Sequence, residues 1–166
     1  RKFRKPVVAA NDADVQGYGA IEGRGVEMVI TLGTGFGTAL FVNGHLVPNI
    51  EIAHHPFKHG QTYEQALGAR ALKKVGKKKW NQRLGKALAI LDEVINFDRL
   101  FIGGGNAKKV SITLPEHVAL VSNVAGLLGG IALLSDCHRK LTTVSSKKSK
   151  AGTKKSGSSK KAKARR

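Results

Sequence analysis

Asn11 and Asp12 are the first side chains in the sequence whose types and positions could support catalysis. They follow a run of small and apolar residues that predicts a buried strand over residues 6–10, and a helix is predicted over residues 12–22. Ligands of α/β proteins bind beyond the carboxyl ends of the strands. There a carboxylate can take a proton from a substrate hydroxyl, and an amide can orient the same substrate. Asn and Asp are also common helix N-caps, so this spacing alone leaves both interpretations open.

A glycine-rich stretch, TLGTGFGTALF, follows at residues 31–41. Gly33, Gly35 and Gly37 allow a tight turn and a close approach of the backbone to a ligand. Free N–H groups in such a loop, together with the Thr34 and Thr38 hydroxyls, predict a phosphate cradle. The loop lacks the Gly-Lys-Ser/Thr sequence of a Walker A motif, and a strand follows it where a Rossmann fingerprint would open a helix. A simple hairpin turn is the alternative interpretation.

The segment EIAHHPF places Glu51 three residues before His54. Carboxylate and imidazole groups could bind sugar hydroxyls, which need paired donors and acceptors. A metal site is disfavoured, because the histidine spacing matches no standard zinc motif and no Cys is nearby. A solvated polar loop remains the alternative.

A second glycine run occurs in FIGGGNAKK, where Gly103, Gly104 and Gly105 end a predicted strand and open a predicted helix. This arrangement suits an anion or a flat ring packed on the backbone. Lys108 and Lys109 lie one turn into the predicted helix and could reach a phosphate. The alternative is a tight turn that carries surface lysines.

The elements that position these residues alternate along the chain. Strands are predicted in VEMVITLG, GTALFVNGHLV, RLFIGGG and HVALVS, with a hairpin turn at Asn43-Gly44, and residues 48–61 are predicted to be irregular. Further helices are predicted over residues 62–75, 77–96 and 124–134. The alternation indicates an α/β domain with a hairpin at one edge. One apolar stripe runs along the helix predicted over residues 77–96: Trp80, Leu84, Leu88, Leu91 and Ile95.

Basic residues dominate the charge of this chain of 166 residues, whose formal net charge is +18. A positive stripe of Lys79, Arg83 and Lys86 is either a solvated helix face or a track for a polyanion. The stretch SSKKSKAGTKKSGSSKKAKARR at residues 145–166 contains no large apolar side chain, which predicts a disordered Lys/Ser-rich tail over residues 144–166. That tail could bind polyanions by counterion release or could be only a soluble extension.

Cysteine and hydropathy patterns exclude several classes of protein. The single Cys137 excludes an intramolecular disulfide and a Cys-rich zinc site. No apolar run is long enough to span a bilayer, and no signal peptide is visible, so we expect no membrane partner and a cytoplasmic location. Because the chain begins at Arg1 and enters a strand within a few residues, we expect a fragment.

The order of four motifs is more specific than any one of them. ANDAD, LGTGFGTALFVNGHLVPNIEIAHH, IGGGNAKK and NVAGLLGGIAL together resemble the ROK family of sugar kinases, and most closely its polyphosphate glucokinase branch, over residues 6–135. The resemblance implies an actin-like (ribonuclease H-like) α/β fold. Residues 1–143 would form the C-terminal portion of the kinase, and residues 144–166 the tail. An Asp-Gly-Gly-Thr element, the family's first phosphate loop, does not occur in the sequence.

The resemblance also implies phosphoryl transfer from polyphosphate or ATP to the 6-hydroxyl of glucose, with a role for each matching residue. Asp12 would be the catalytic base. The sugar would be bound by Asn11, Glu51, His54 and Glu64, although Glu64 stands one residue from the family's usual distance to Gly68. The phosphates would be bound by Gly33, Thr34, Gly35, Gly37, Gly103, Gly104, Gly105 and Lys108. Mg²⁺ would be carried by the phosphate donor, no structural zinc is expected, and the enzyme would be a homodimer.

Three functions compete at this point. The first is a glucokinase, which without its first phosphate loop would be inactive as this chain alone. The second is the sugar-binding effector domain of a ROK-type transcriptional repressor, and the third is a polyanion-binding module dominated by the tail. The choice between ATP and polyphosphate depends on whether exposed cations bind a long polyanion or only solvate the surface: Lys77, Lys78, Lys79, Arg83, Lys108 and Lys109.

Overall fold

A computed structural model describes residues 10–122 and 129–133 of the chain. Residues 129–133 are helical, which agrees with part of the helix predicted over residues 124–134. The rest of that helix, residues 6–9 of the strand predicted over residues 6–10, and the tail at residues 144–166 lie outside the described residues. No helix within the described ranges has the length and apolar character needed to cross a membrane.

A five-stranded mixed sheet forms the centre of the fold. The elements in chain order are α1 (Asp12–Tyr18), β1 (Val26–Leu32), β2 (Phe36–Val42), β3 (His45–Val47), β4 (Pro56–Lys58), β5 (Gln61–Thr62), α2 (Tyr63–Leu67), α3 (Ala69–Ile95), β6 (Arg99–Gly103) and β7 (Val118–Leu120). The strand order is β3-β2-β1-β6-β7, with β1, β6 and β7 parallel and the β1-β2-β3 pairs antiparallel. The predicted α/β class with a hairpin at one edge is confirmed.

Helices cover both faces of this sheet. Met28, Ile30 and Leu32 of β1 pack towards the helical layer that contains α3, while Val29 packs on the opposite face with Ala13 of α1. Because both faces are covered, β1 is buried at six of its seven positions. The sheet therefore holds the start of α1 and the glycine-rich turn after β1 at the same edge.

The predicted apolar stripe is the buried face of α3. Trp80, Leu84, Leu88 and Leu91 are buried in the core, and Ile95 packs against it. The indole N–H of Trp80 donates to the carbonyl of Leu67 at 2.7 Å. This hydrogen bond satisfies the polar atom of a fully buried tryptophan and fixes α3 against the end of α2.

Glycines divide the helical region differently from the prediction. The expected break at Gly76 is confirmed, because its φ of 77° lies in the left-handed region. The helix predicted over residues 62–75 is wrong as a single element, since Gly68 is extended (φ −64°, ψ 170°) and separates α2 from α3. A Cβ atom at Gly68 would lie only 2.8 Å from the Thr34 carbonyl oxygen, so close loop packing explains this second break.

Three other predictions need correction. The helix expected over residues 12–22 ends at Tyr18, where Gly19 provides its C-cap. The supposedly irregular residues 48–61 contain β4 and part of β5, whose turn at His59-Gly60 has positive φ at both residues. Only one 3₁₀ turn, Ala107–Lys109, follows the second glycine run, where a helix was expected.

Candidate active site

Four separate segments of the chain line one cavity of about 300 Å³ at the edge of the sheet. The lining residues are Asn11, Asp12, Thr31, Gly33, Thr34, Gly35, Phe36, Gly37, Glu51, Ala53, His54 and Glu64. All the residues assigned by resemblance to proton abstraction, sugar binding and the first glycine-rich loop therefore surround the same space. Gly103, Gly104, Gly105 and Lys108 are not among its lining residues.

Asn11 and Asp12 combine the two interpretations that the sequence left open. Asn11 is the N-cap of α1, and its side-chain oxygen accepts a hydrogen bond from the Ala13 N–H at 3.2 Å. Oδ1 of Asp12 accepts from the same N–H at 2.8 Å. Both side chains are nevertheless exposed and line the cavity. Capping orients the pair, and the Asp12 carboxylate stays accessible to a substrate.

Gly37 lets β2 pass close to the start of α1. It stands opposite Thr31 in the β1-β2 register. A Cβ atom at Gly37 would overlap the Thr31 hydroxyl, and it would lie 3.2 Å from Ala13 Cβ and 3.6 Å from Asp12 Oδ1. The absence of a side chain at this position therefore sets the distance between the phosphate-loop strand and the candidate base.

The turn at Gly33–Gly35 is held in place by hydrogen bonds that its carbonyl groups accept. The Gly33 carbonyl accepts from the Ala69 N–H at 3.2 Å and from the Asn106 side-chain amide at 2.9 Å. The Thr34 carbonyl accepts from the same Ala69 N–H at 3.1 Å. These two oxygens, which would repel a phosphate, are thus occupied by protein donors, while the exposed Thr34 side chain faces the cavity.

Hydrogen bonds to the Ala53 backbone position Glu51 and Glu64. Oε1 of Glu51 accepts from the Ala53 N–H at 3.0 Å, and the Glu64 N–H donates to the Ala53 carbonyl at 3.0 Å. A Cβ atom at Gly35 would lie 2.8 Å from Glu64 Oε2, so the Glu64 carboxylate reaches the glycine turn. His54 completes the same wall of the cavity.

Thr38 does not lie where the phosphate-cradle hypothesis placed it. Its side chain is 3% exposed, and its hydroxyl donates to the Ile50 carbonyl and accepts from the Ile52 N–H, both at 3.5 Å. The hydroxyl therefore attaches the segment around Glu51 to β2. Thr38 supports the site from behind and is not part of its surface.

The second glycine run adjoins the first loop without lining the cavity. Gly103 is buried, and a Cβ atom there would lie 2.5 Å from Gln16 Oε1, while Gly104 packs against Leu32 with a φ of 86°. Gly105 faces open space, and Lys108 is exposed on the 3₁₀ turn. These four residues lie in and beside the connection after β6.

Asn106 and Asn81 are structural residues that the sequence reasoning missed. Asn106 bonds to the first glycine turn, as described above. The Asn81 side-chain amide donates to the carbonyls of Lys77 and Lys109 at 2.9 and 3.0 Å, and its oxygen accepts from the Ser111 N–H at 2.7 Å. No local pattern marks either residue: Asn106 only follows a glycine run, and Asn81 only follows Trp80 in the sequence. Thr31, Phe36 and Ala53 also line the cavity, but they carry no motif of their own.

Charges around the cavity affect Asp14, one turn into α1. Burial raises the pKa of Asp14 above 3.8, and the negative charge of Asp12 raises it further, while a hydrogen bond from the Asn11 backbone lowers it.

Among residues 10–122 and 129–133, no group of three or more His, Cys, Asp or Glu side chains could hold a metal ion.

Comparisons with known proteins find polyphosphate glucokinases in sequence and a related kinase in structure. A polyphosphate glucokinase from Mycobacterium tuberculosis is 31% identical over 137 residues, which is 74% of this chain and 52% of that protein. An inorganic polyphosphate/ATP-glucomannokinase from Arthrobacter sp. strain KM is 27% identical with a TM-score of 0.67, covering 81% of this chain and 58% of the other. No family model matches the chain.

A more distant structure shows the fold alone. The ROK family glucokinase from Streptomyces griseus, solved with glucose and AMPPNP, has 18% identity and a TM-score of 0.56, with 75% of this chain and 66% of that chain covered. This chain spans about half the length of the curated relatives it matches. The predicted resemblance is confirmed in sequence for polyphosphate glucokinases and in fold for ROK-family sugar kinases.

Proposed function

We propose that this chain, which resembles polyphosphate glucokinases in sequence and ROK-family sugar kinases in fold, supplies the sugar site, the catalytic base and one phosphate loop for phosphoryl transfer to the 6-hydroxyl of glucose. One observation carries the proposal. The accessible carboxylate of Asp12 lines one cavity together with the glycine-rich turn at residues 33–37, which hydrogen bonds hold in place. The polar side chains of Glu51, His54 and Glu64 line the same cavity.

The acceptor side follows from the chemistry of these groups. Asp12 takes the proton of the 6-hydroxyl as that oxygen forms its bond to the transferred phosphorus and the bond to the leaving phosphate oxygen breaks. Asn11 and the three polar side chains of the opposite wall bind the remaining hydroxyls. Several hydrogen bonds to one sugar restrict its orientation, and positioning of this kind supplies much of the rate enhancement in phosphoryl transfer.

The donor side is built on the glycine turn. Its Gly33 and Thr34 carbonyls are bonded to protein donors, which favours an approach by phosphate oxygens to the remaining loop groups. Gly105 and Lys108, on either side of Asn106 in the sequence, would extend the phosphate-binding surface of the turn towards more distal phosphates. A donor-bound Mg²⁺ would neutralise charge on the transferred group.

Polyphosphate is the donor that we favour over ATP. The names of the Mycobacterium and Arthrobacter relatives both include polyphosphate, and the latter also includes ATP. This chain adds exposed cations beside the donor side, including Lys108 and Lys109.

We also propose that these 166 residues do not catalyse the reaction alone, because the sequence contains no Asp-Gly-Gly-Thr phosphate loop. A measurable glucose phosphorylation rate from this chain would contradict that last point.

Glucose binding to this chain tests the proposed site without requiring turnover. In an amide NMR titration, we expect glucose to shift the resonances of residues 11–12, 51–54 and 64. Glu51→Gln and Glu64→Gln should weaken binding, whereas Glu93→Gln, an exposed position on α3 outside the cavity, should not. No shift at concentrations far above about 1 mM, the upper end of typical KM values, would contradict the proposal.

A sensor domain of a repressor would bind glucose equally well, so phosphorylation is the measurement that separates the two functions. In a longer polypeptide that supplies the first phosphate loop, we expect glucose 6-phosphate to form from polyphosphate or ATP. Sugar binding without any product would favour the effector domain. Asp12 supports the kinase, because a sensor needs no base at this hydroxyl.

A further inference from the structure

A second cavity, of about 290 Å³, lies between the β4-β5 hairpin and α3. Its lining residues are Lys58, His59, Lys79, Gln82, Arg83 and Lys86. Four of the six side chains are cationic and none is acidic. The site proposed above for phosphoryl transfer shares no residue with this basic cavity.

The cations of the basic cavity are held in position by the fold. Lys58 and His59 lie at the hairpin end, where His59 and Gly60 both have positive φ and form a tight two-residue turn. On α3, the neighbouring Trp80 is anchored to Leu67 by its indole N–H. The Arg83 guanidinium donates to the carbonyl of Ala66 at 3.3 Å. The two basic edges therefore face one space as a consequence of the backbone arrangement.

Their charges are not compensated locally. Within the part of the chain that the structure describes, none of Lys58, Lys79, Arg83 and Lys86 forms an ion pair with a carboxylate. Four like charges around one concave space repel each other and attract anions from solution. This arrangement differs from an ordinary solvated helix face, where charges of opposite sign usually alternate.

The spacing of the charges indicates the size of the anion. Lys79 and Lys86 are seven positions apart on α3, which corresponds to roughly 10 Å along the helix axis. Arg83 lies between them on the same face, and Lys58 approaches from the hairpin. A chain of several phosphates can contact both ends of such a row at once with the lysine side chains extended, whereas one phosphate reaches both ends only if those side chains converge on it.

We propose that this basic cavity is a second anion site, which binds a linear chain of phosphate groups outside the catalytic cavity. Guanidinium and ammonium groups provide the charge-assisted hydrogen bonds that phosphate oxygens accept. The proposal is independent of the reaction proposed above, because it concerns binding alone. The occupant is the phosphate chain itself, whether it is free or carried by a nucleotide.

The site also adjoins the sugar side of the molecule. His54 and Glu64 line the catalytic cavity, while Lys58 and His59, between them in sequence, line the basic cavity. A phosphate chain in the second site would thus contact the same hairpin that positions two sugar-binding candidates.

Titration with inorganic tripolyphosphate, followed by amide NMR of the whole chain, tests the proposal. We expect shifts at residues 58–59 and 79–86. The double charge reversal Lys79→Glu/Lys86→Glu should lower the affinity by about tenfold or more, because two attractions become repulsions. Lys73→Glu/Lys74→Glu is the matched control, since it makes the same change in net charge at exposed positions of α3 outside the cavity.

Two further ligands identify what is recognised. ATP binding with similar shifts would mean that a nucleotide is an equally good source of the phosphate chain, and inorganic phosphate should bind far more weakly than tripolyphosphate. Equal losses of affinity in the two double variants would overturn the proposal. Shifts confined to residues 145–166 would overturn it as well, since the basic tail alone would then account for binding.

Discussion

The side-chain amide of Asn106 donates a hydrogen bond to the carbonyl of Gly33 at 2.9 Å, and its backbone N–H donates to the carbonyl of Leu32 at 2.8 Å. Two residues 73 positions apart in sequence thus join the two glycine runs. The first run lines the candidate active-site cavity, and Gly104 of the second run packs against Leu32 at the end of β1. Asn106 therefore connects the two glycine runs through one side-chain and one backbone hydrogen bond.

Asn106→Ala should loosen the first glycine turn. Loss of one partly buried hydrogen bond should lower the free energy of unfolding by about 1 kcal/mol. The amide of Ala69, which bonds to the Gly33 and Thr34 carbonyls, should exchange with solvent faster. Urea denaturation and hydrogen exchange measure the two effects. Ser111→Ala, at an exposed position nearby, should change neither, and an unaltered Ala69 exchange rate in Asn106→Ala would refute the link.

Gly37→Ala and Gly33→Ala should have different effects, because Gly37 is required for packing of the protein and Gly33 for access of the ligand. At Gly37 the new methyl group would overlap the Thr31 hydroxyl and crowd Ala13, and overpacking of this kind costs about 1–3 kcal/mol. At Gly33 a Cβ atom would meet no protein atom within 4 Å. Denaturation should therefore show that only Gly37→Ala is destabilised.

Gly33→Ala should instead weaken phosphate binding, because its methyl group would project from the cavity wall into the space that we assign to the donor. The measurement is the donor KM in the longer polypeptide that carries both phosphate loops. A Gly33→Ala variant with normal donor KM would show that phosphate does not approach this turn closely. A Gly37→Ala variant as stable as the wild type would contradict the packing argument.

Asp14→Asn should stabilise the protein at neutral pH. The pKa of Asp14 is raised in the folded state, so folding disfavours the charged carboxylate. As pH rises from about the ordinary value of 3.8 through the raised pKa, the folded state loses a proton that it binds more tightly than the unfolded state, and stability falls. The neutral amide avoids this loss. Denaturation as a function of pH should show the advantage of the variant disappearing below pH 3.8, and an equal advantage at all pH values would contradict the assignment.

Elements with a strong periodic pattern could be predicted from the sequence. The stripe of Trp80, Leu84, Leu88 and Leu91 specifies the buried face of α3, because only one helical register buries all four side chains. The order of motifs similarly predicts which residues share the catalytic cavity. Gly76 could be predicted as a break because glycine is a poor helix former and favours positions with positive φ.

Other features depend on contacts between distant segments. Gly68 interrupts the helical region because the Thr34 carbonyl packs against it, and no local pattern contains that information. The β4-β5 hairpin consists of strands only two and three residues long, too short for alternation to be seen. Thr38 was misplaced because its hydroxyl bonds to the Ile50–Ile52 backbone and not to the cavity. Asn106 and Asn81 were missed because an asparagine is ordinary until its partners are known.

Asp12→Asn tests the central claim most directly, through kcat and glucose affinity measured together. In the longer polypeptide with both phosphate loops, loss of a general base should lower kcat by about 10²–10⁴-fold. Glucose affinity should stay close to that of the wild type, because the amide keeps the size of the side chain and its capping oxygen. A wild-type kcat would contradict the account, and Asp12 would then serve only at the start of α1.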